Sequence, residues 1–451
     1  LRQTLSTSRK EAVSSSTMTG ICDNYLGAFA IYLRASLPQM GLLTALPQLV
    51  GALFQLLSVW LCPYFSRRHA IVTGVAVQAT AVAGMALLAL LRPDNSVAWL
   101  IGLAVVYHAC VNFVQPQWRS WMGSLVPARR RGAFFAGRTR LTMISSFTVF
   151  ACGGALLGWF EHHQAAWAGF FILMLLAAGG RGLSALQLKQ MHDPDHASAA
   201  RPGSFIDTLR RIRESFHHRA FREYSLFFAG MQGAVAISGP FFSVYMLNDL
   251  GYTYWEFTGN IGVSILTQFF TLSTWGRICD RWGNRLVMVT SCCMLPVLPA
   301  LWLFSESYYY LLGVQVMSGL AWGGFTLSTS NYLYDLRPAR ADFASYAAVQ
   351  SSLSAVGVFC GALLGGYLAS ALPGLVALLP ASWQLEHSVI LIFATSSLLR
   401  VGIATWFIPR SQELRVRHHP NLLQVVYRVA RFTPGAGIVL DWLTVTRKRR
   451  P

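Results

Sequence analysis

Gly276-Arg277-Ile278-Cys279-Asp280-Arg281-Trp282-Gly283-Asn284-Arg285 is a short charged stretch set between two long apolar runs. Its single carboxylate lies among three arginines, with a glycine on either side. Gly276 removes a side chain where two helices are expected to approach closely. Asp280 is expected to accept charge-assisted hydrogen bonds from guanidinium groups or a helix N-terminus, and Gly283 permits a tight turn. The plainer reading is a basic loop with one turn-forming aspartate. On either reading the stretch joins two helices, and the rest of the chain decides what those helices face.

The surrounding composition is that of a membrane protein. Of 451 residues, 54% are hydrophobic and only 12% charged, far from the balance of a soluble domain. Apolar runs of about twenty residues recur along the chain, each long enough to cross about 30 Å of hydrocarbon as a helix. Twelve are expected, near 12–33, 41–62, 70–91, 97–122, 141–160, 166–187, 222–247, 257–276, 286–304, 308–334, 343–371 and 388–408. The runs are too long and too rich in Gly and Leu for outer-membrane strands.

A formal charge of +18 suggests nucleic acid until its placement is read. With the N-terminus inside, nearly every Lys and Arg falls in or beside the connections near 63–69, 123–140, 188–221, 277–285 and 335–342, or in the tail from 409. Arg34 and Arg92 fall in outer connections, and Arg400 lies within a span, where it is expected to snorkel to the cytoplasmic surface. This is the positive-inside distribution, so both termini are expected in the cytoplasm and no nucleic-acid partner is expected. Only three of the 36 basic residues are Lys, a compositional bias consistent with a GC-rich bacterium and hence with its inner membrane. The eight Cys are scattered and expected as free thiols. No cleavable leader is expected, because the first span carries Glu11, Asp23 and Asn24.

The longest interior polar segment divides the spans six and six. The expected organisation is a bundle over 1–187, a cytoplasmic linker over 188–221, a second bundle over 222–409 and a basic tail over 410–451. Within the linker, Phe205, Leu209, Ile212 and Phe216 follow a helical spacing with Arg210, Arg211 and Arg213 on other faces, as in a helix lying on the membrane surface. The two halves also share wording. Pro127-Ala128-Arg129 precedes Gly154-Ala155-Leu156-Leu157-Gly158, and Pro338-Ala339-Arg340 precedes Gly361-Ala362-Leu363-Leu364-Gly365. Duplicated halves are how many carriers build one binding site between two similar bundles. The glycines of both copies are expected to serve close helix packing.

The stretch at 276–285 has the form G-x-x-x-D-R-x-G-x-R in the loop between the eighth and ninth spans, and there it resembles a motif of the major facilitator superfamily. Gln115-Pro116-Gln117-Trp118-Arg119-Ser120-Trp121-Met122 and Gly239-Pro240-Phe241-Phe242-Ser243-Val244-Tyr245-Met246-Leu247 are similar to a poorly characterised bacterial branch of it. The resemblance covers essentially the whole chain. It implies an all-α polytopic fold of twelve transmembrane helices in two pseudo-symmetric six-helix bundles. It also makes Gly276, Asp280, Arg281, Gly283 and Arg285, with Asp335 at the inner end of span ten, a cytoplasmic latch. The chain departs from the pattern in two places. The equivalent first-half loop, Leu61-Cys62-Pro63-Tyr64-Phe65-Ser66-Arg67-Arg68-His69, lacks the Asp and both glycines, and span five has no Gly-Pro antiporter motif.

Charges deep in a span are costly and usually functional. Asp23 is the one carboxylate expected near mid-membrane, and His108 the one histidine. Both are placed on spans that line the central cavity of the resembled fold. Asp23 is expected to bind a coupling proton with His108 assisting, against the alternatives of an interhelical pair for Asp23 and a packed core ring for His108. Asn24, Asn112, Gln115, Gln232, Gln315, Ser318 and Trp322 are the substrate-cavity candidates, each with the alternative of a plain interhelical hydrogen bond.

His192, Asp193, Asp195 and His196 have metal-ligating side chains but sit in a Pro-containing loop, so no metal or other cofactor is expected. No phosphate-cradling loop, nucleophile elbow or dinucleotide fingerprint occurs, which argues against ATP drive and enzymatic chemistry. The expected function is secondary active transport of a small organic solute, proton-coupled, by a monomer in contact with membrane lipid. A lipid or amphiphile flippase and a non-transporting receptor or assembly partner on the same fold are the alternatives.

Overall fold

The computed structural model describes residues 2–61, 66–126, 131–192, 216–336, 343–376 and 389–411. The surface-helix expectation near 205–216, most of the His192–His196 group and the tail beyond 411 lie outside them. The described residues are helical throughout, in the order α1 (Arg2–Tyr32), α2 (Leu37–Leu61), α3 (Arg67–Leu91), α4 (Ser96–Leu125), α5 (Arg131–His162), α6 (Ala166–Gln190), α7 (Arg219–Val244), α8 (Tyr254–Trp282), α9 (Asn284–Met294), α10 (Val297–Leu301), α11 (Tyr308–Leu336), α12 (Phe343–Val376) and α13 (Val389–Phe407). A π-helical turn, Tyr245–Asp249, continues α7. Ten segments among the described residues are long and apolar enough to cross a membrane, α9 and α10 together forming one of them. The protein is therefore a multi-pass membrane protein. The helices α1 and α8 are as long as the others but carry more polar residues, including Glu11 and Asp23 in α1 and Glu256 and Asp280 in α8.

Contacts divide the chain into two compact units, and neither is one continuous stretch. The first comprises residues 1–213, 232–259 and 348–392; the second comprises 214–231, 260–347 and 393–451.

In the first unit α3 packs on α6, α2 on α4, and α1 on α5 and α6. In a bilayer, lipid is as apolar as a leucine side chain, so close packing and interhelical hydrogen bonds hold such helices together. Tyr25, Phe29, Phe150 and Phe170 supply the packing around α1, all fully buried. The Tyr25 hydroxyl donates to the Phe150 carbonyl at 2.7 Å. A second buried group, Ile71, Val75, Trp121, Met122 and Leu188, joins α3, α4 and α6. The repeated glycines behave as expected. A Cβ on Gly154 would strike the Thr258 side chain, and a Cβ on Gly361 would strike the backbone carbonyl of Gly233.

In the second unit, Trp275 Nε1 donates to the Leu320 carbonyl at 3.0 Å, joining α8 to α11. The Tyr224 hydroxyl donates to the Thr329 carbonyl at 2.6 Å, joining α7 to α11. The ninth expected span is broken. Pro296 and Pro299 each lack an N–H, so the α-helical partners of the Cys292 and Leu295 carbonyls are missing and the helix divides into α9 and α10. Side chains of α13 repair the break: Arg400 Nη1 donates to the Leu295 carbonyl at 3.0 Å, and Ser397 Oγ donates to the Pro296 carbonyl. Arg400 is only 3% exposed. It does not snorkel, because a carbonyl left without its helical N–H lies within reach of its guanidinium.

Candidate functional site

Asp23 stands in the interior of α1 with its side chain exposed. One carboxylate oxygen accepts a hydrogen bond of 2.9 Å from the Tyr107 hydroxyl of α4. Tyr107 is buried, and its ring meets the ring of His108 edge-on at 5.0 Å. The imidazole of His108 makes no hydrogen bond among the described residues. The direct partner of Asp23 is thus the residue next to the expected histidine. Successive residues on a helix point about 100° apart, so only one of the two can face α1 squarely.

The other cavity candidates divide by environment. The Asn24 amide donates to the Gly20 carbonyl at 3.0 Å and that of Asn112 to the His108 carbonyl at 2.9 Å, each one turn back along its own helix. Gly51 of α2 passes so close to Asn112 that a Cβ there would lie 2.5 Å from its amide nitrogen. Gln115 is exposed and precedes Pro116 within α4. Gln232 is half-buried, and its Oε1 has no hydrogen-bond partner among the described residues. In the second unit Gln315 Nε2 donates to Asn260 Oδ1 at 2.6 Å, and the fully buried Asn260 Nδ2 has no partner among the described residues. Ser318 and Trp322 are half-buried on the same helix as Gln315, with Trp322 edge-on to Phe325.

The motif at 276–285 forms the end of α8, a one-residue turn and the start of α9. Gly283 makes that turn at φ +93° and ψ 160°, a conformation open essentially to glycine alone. Gly276 differs from expectation: among the described residues an added Cβ would meet nothing nearer than Leu327 at 3.9 Å, so no close helix approach there depends on it. Asp280 is exposed and makes no hydrogen bond or ion pair among the described residues. The Arg281 guanidinium lies 5.5 Å from the ring centroid of Trp282. Arg285 donates from Nε to the Ser411 carbonyl at 2.8 Å and from Nη2 to the Ile408 carbonyl at 3.4 Å, satisfying acceptors just beyond the end of α13. Asp335 accepts from Asn284 Nδ2 at 2.6 Å. Asn284 was not singled out from the sequence, although it occupies an interior position of the motif and is 2% exposed.

Sequence reasoning also missed a set of ionised groups within the first six helices. Glu11 of α1 is 3% exposed and takes a 2.5 Å ion pair from Arg138 of α5. Arg181 lies inside α6, 4.0 Å from the other oxygen of Glu11, and donates from Nε to Gln78 of α3 at 2.7 Å. The available signal was Arg181 itself, an arginine near the inner end of the sixth expected span.

The sequence model of the Major Facilitator Superfamily matches residues 13–266 and again 224–445. No curated protein matches the chain. Among solved structures it is similar to a bacterial homologue of the human lysosomal transporter Spinster, crystallised inward-facing and unoccupied. That match has a TM-score of 0.67 at 13% identity over 96% of this chain and 98% of the other. It is also similar to a variant of the nucleoside transporter NupG, with a TM-score of 0.68 at 14% identity over 91% of this chain and all of the other. At such identities the likeness is one of fold. With the family pattern matched along nearly its whole length, this chain is a member of the Major Facilitator Superfamily.

Proposed function

We propose that the protein is a secondary active transporter that moves a small organic solute across a bacterial inner membrane by alternating access, with Asp23 carrying the coupling proton. The observation that carries the coupling is a carboxylate in the interior of α1, exposed on one side and held on the other by the neutral donor Tyr107. A carboxylate without a fixed cationic partner at hydrogen-bond distance can exchange a proton without breaking an ion pair. Twelve spans with both termini cytoplasmic, and six-helix bundles over 1–187 and 222–409, agree with the placement of basic residues along the sequence. In this reading the 276–285 motif and Asp335 form a cytoplasmic latch that opens and closes with the transport cycle.

The cargo follows from the chemistry of the candidate cavity residues. They are mostly carboxamides, with Ser318 and the indole of Trp322, and carry no fixed charge. Such groups suit a polar, uncharged solute with a ring or other flat face. The fold is shared by carriers with different cargoes, so it does not choose among them.

The test has two stages. A thermal-shift screen over metabolite, lipid and drug libraries identifies a ligand, and counterflow of that ligand in proteoliposomes then measures transport. Binding without counterflow makes the protein a receptor instead, and a lipid hit that moves between leaflets makes it a flippase. For the proton, Asp23→Asn is expected to abolish pH-driven accumulation while leaving ligand binding measurable. Accumulation that persists in this variant with unchanged pH dependence removes Asp23 from the coupling role.

A further inference from the structure

Glu11 and Asp23 are twelve positions apart on α1, about 18 Å at the helical rise of 1.5 Å per residue, yet contacts through α6, α3 and α4 join them, with Arg138 of α5 on the same Glu11 carboxylate. Glu11 Oε2 takes Arg138 Nη2 of α5 at 2.5 Å, and its Oε1 takes the Ser184 hydroxyl of α6 at 2.9 Å. Arg181, one turn before Ser184, lies with Nη1 4.0 Å from the same Oε1 and 3.4 Å from the Ser184 hydroxyl. Its Nε donates to Gln78 Oε1 of α3 at 2.7 Å. Gln78, itself fully buried, donates from Nε2 to the backbone carbonyl of Tyr107 at 3.3 Å. The Tyr107 hydroxyl then reaches Asp23.

Two features make this more than ordinary packing. First, the charges sum to zero: Glu11 and Asp23 against Arg138 and Arg181. When Asp23 takes a proton the set carries one net positive charge, and Glu11 is the carboxylate left to hold both guanidiniums. Each separation of charge costs more in a bundle interior than in water. Second, the far end of the set reaches the start of α5, where Arg138 lies 4.2 Å from the ring centroid of Trp118. The first-half loop between α2 and α3 contains no carboxylate of its own.

We propose that Glu11 is a positioning residue for the Asp23 site: by fixing Arg181, and through it Gln78 and the α4 backbone at Tyr107, it couples the state of Asp23 to the inner ends of α5 and α6. The inference rests on the proton-carrying reading of Asp23. The titratable groups beside Asp23 are Tyr107 of α4, with His108 behind it, and Cys22 of α1. Farther along stand Cys110 of α4, Arg181 of α6, and Glu11 with Arg138 of α5.

The test is the thermal midpoint of the purified full chain, titrated from acid to alkaline pH. The wild type is expected to show a pH transition that Asp23→Asn removes. Glu11→Gln and Gln78→Met are each expected to move the midpoint of that transition by about threefold or more in proton concentration, the scale of coupling between groups in one network. Glu11→Asp should return it part of the way. Gln78→Met keeps the side-chain length and leaves the Glu11–Arg138 pair intact, so it carries the test if Glu11→Gln does not fold. A transition that depends on Asp23 but keeps its wild-type midpoint in both variants overturns the positioning role alone. A transition that survives Asp23→Asn overturns the proton reading of Asp23, and the positioning role with it.

Discussion

Arg400 Nη1 donates to the Leu295 carbonyl oxygen, the acceptor that Pro299 leaves without its α-helical N–H. A buried cation thus stands in for a missing backbone donor. Arg400→Met should lower stability by about 1–3 kcal/mol, the cost of leaving a buried acceptor unsatisfied. Adding Pro299→Ala restores an N–H in register with that carbonyl, so the double variant should recover part of the loss. Thermal unfolding of the four proteins in the cycle measures it. Equal losses with and without Pro299 would mean that Arg400 acts elsewhere.

Gly154 faces Thr258 with no room for a side chain. Gly154→Val should destabilise the protein by about 1–3 kcal/mol through overpacking. Thr258→Ala should relieve part of that cost, although it also removes a hydroxyl 2.9 Å from that of Tyr25. The melting temperature of the double variant lying above that of Gly154→Val is the expected result.

Asp280 and Asn284 belong to one motif but are held differently. Asp280 is exposed, so Asp280→Asn should change stability by no more than about 0.5 kcal/mol. If the aspartate works as a latch, the same substitution should slow transport several-fold. Asn284→Ala should do the reverse and lower the melting temperature, because it strips a buried 2.6 Å hydrogen bond from Asp335. Paired melting and transport assays separate the two effects.

Tyr107 donates to Asp23 from a fully buried ring, so Tyr107→Phe removes one hydrogen bond and little volume. A hydrogen bond to an ionised group contributes about 1.5–3 kcal/mol. Proton-driven accumulation should fall by about tenfold, with ligand affinity within about twofold of the wild type if Tyr107 acts through Asp23 and not on the solute. A fall in affinity that matches the fall in transport would make Tyr107 a substrate contact instead.

Much of the architecture was legible because membrane helices announce themselves locally. Apolar length marks ten of the spans, and Gly283 marks a turn at positive φ. The glycines of the two repeated pentapeptides were read as contact points, and Gly154 and Gly361 are that. Gly276 is equivalent in sequence but not in structure, since close approach depends on the neighbouring helix and not on the glycine. Asp23 stands out as the one carboxylate expected near mid-membrane, whereas its partner Tyr107 is one of many aromatics in such runs and carries no mark of its own.

The sequence by itself determined the membrane class, the helical segments and the family motif, because each depends on composition and spacing within a few turns of one chain segment. The tertiary structure alone decided which distant polar groups meet. Glu11, Gln78, Arg138 and Arg181 come from four helices and up to 170 positions apart, and only packing brings them within hydrogen-bond reach. In the low-dielectric interior of a bundle such groups must find partners or pay the cost of burial. Arg400 and Leu295 meet for the same reason.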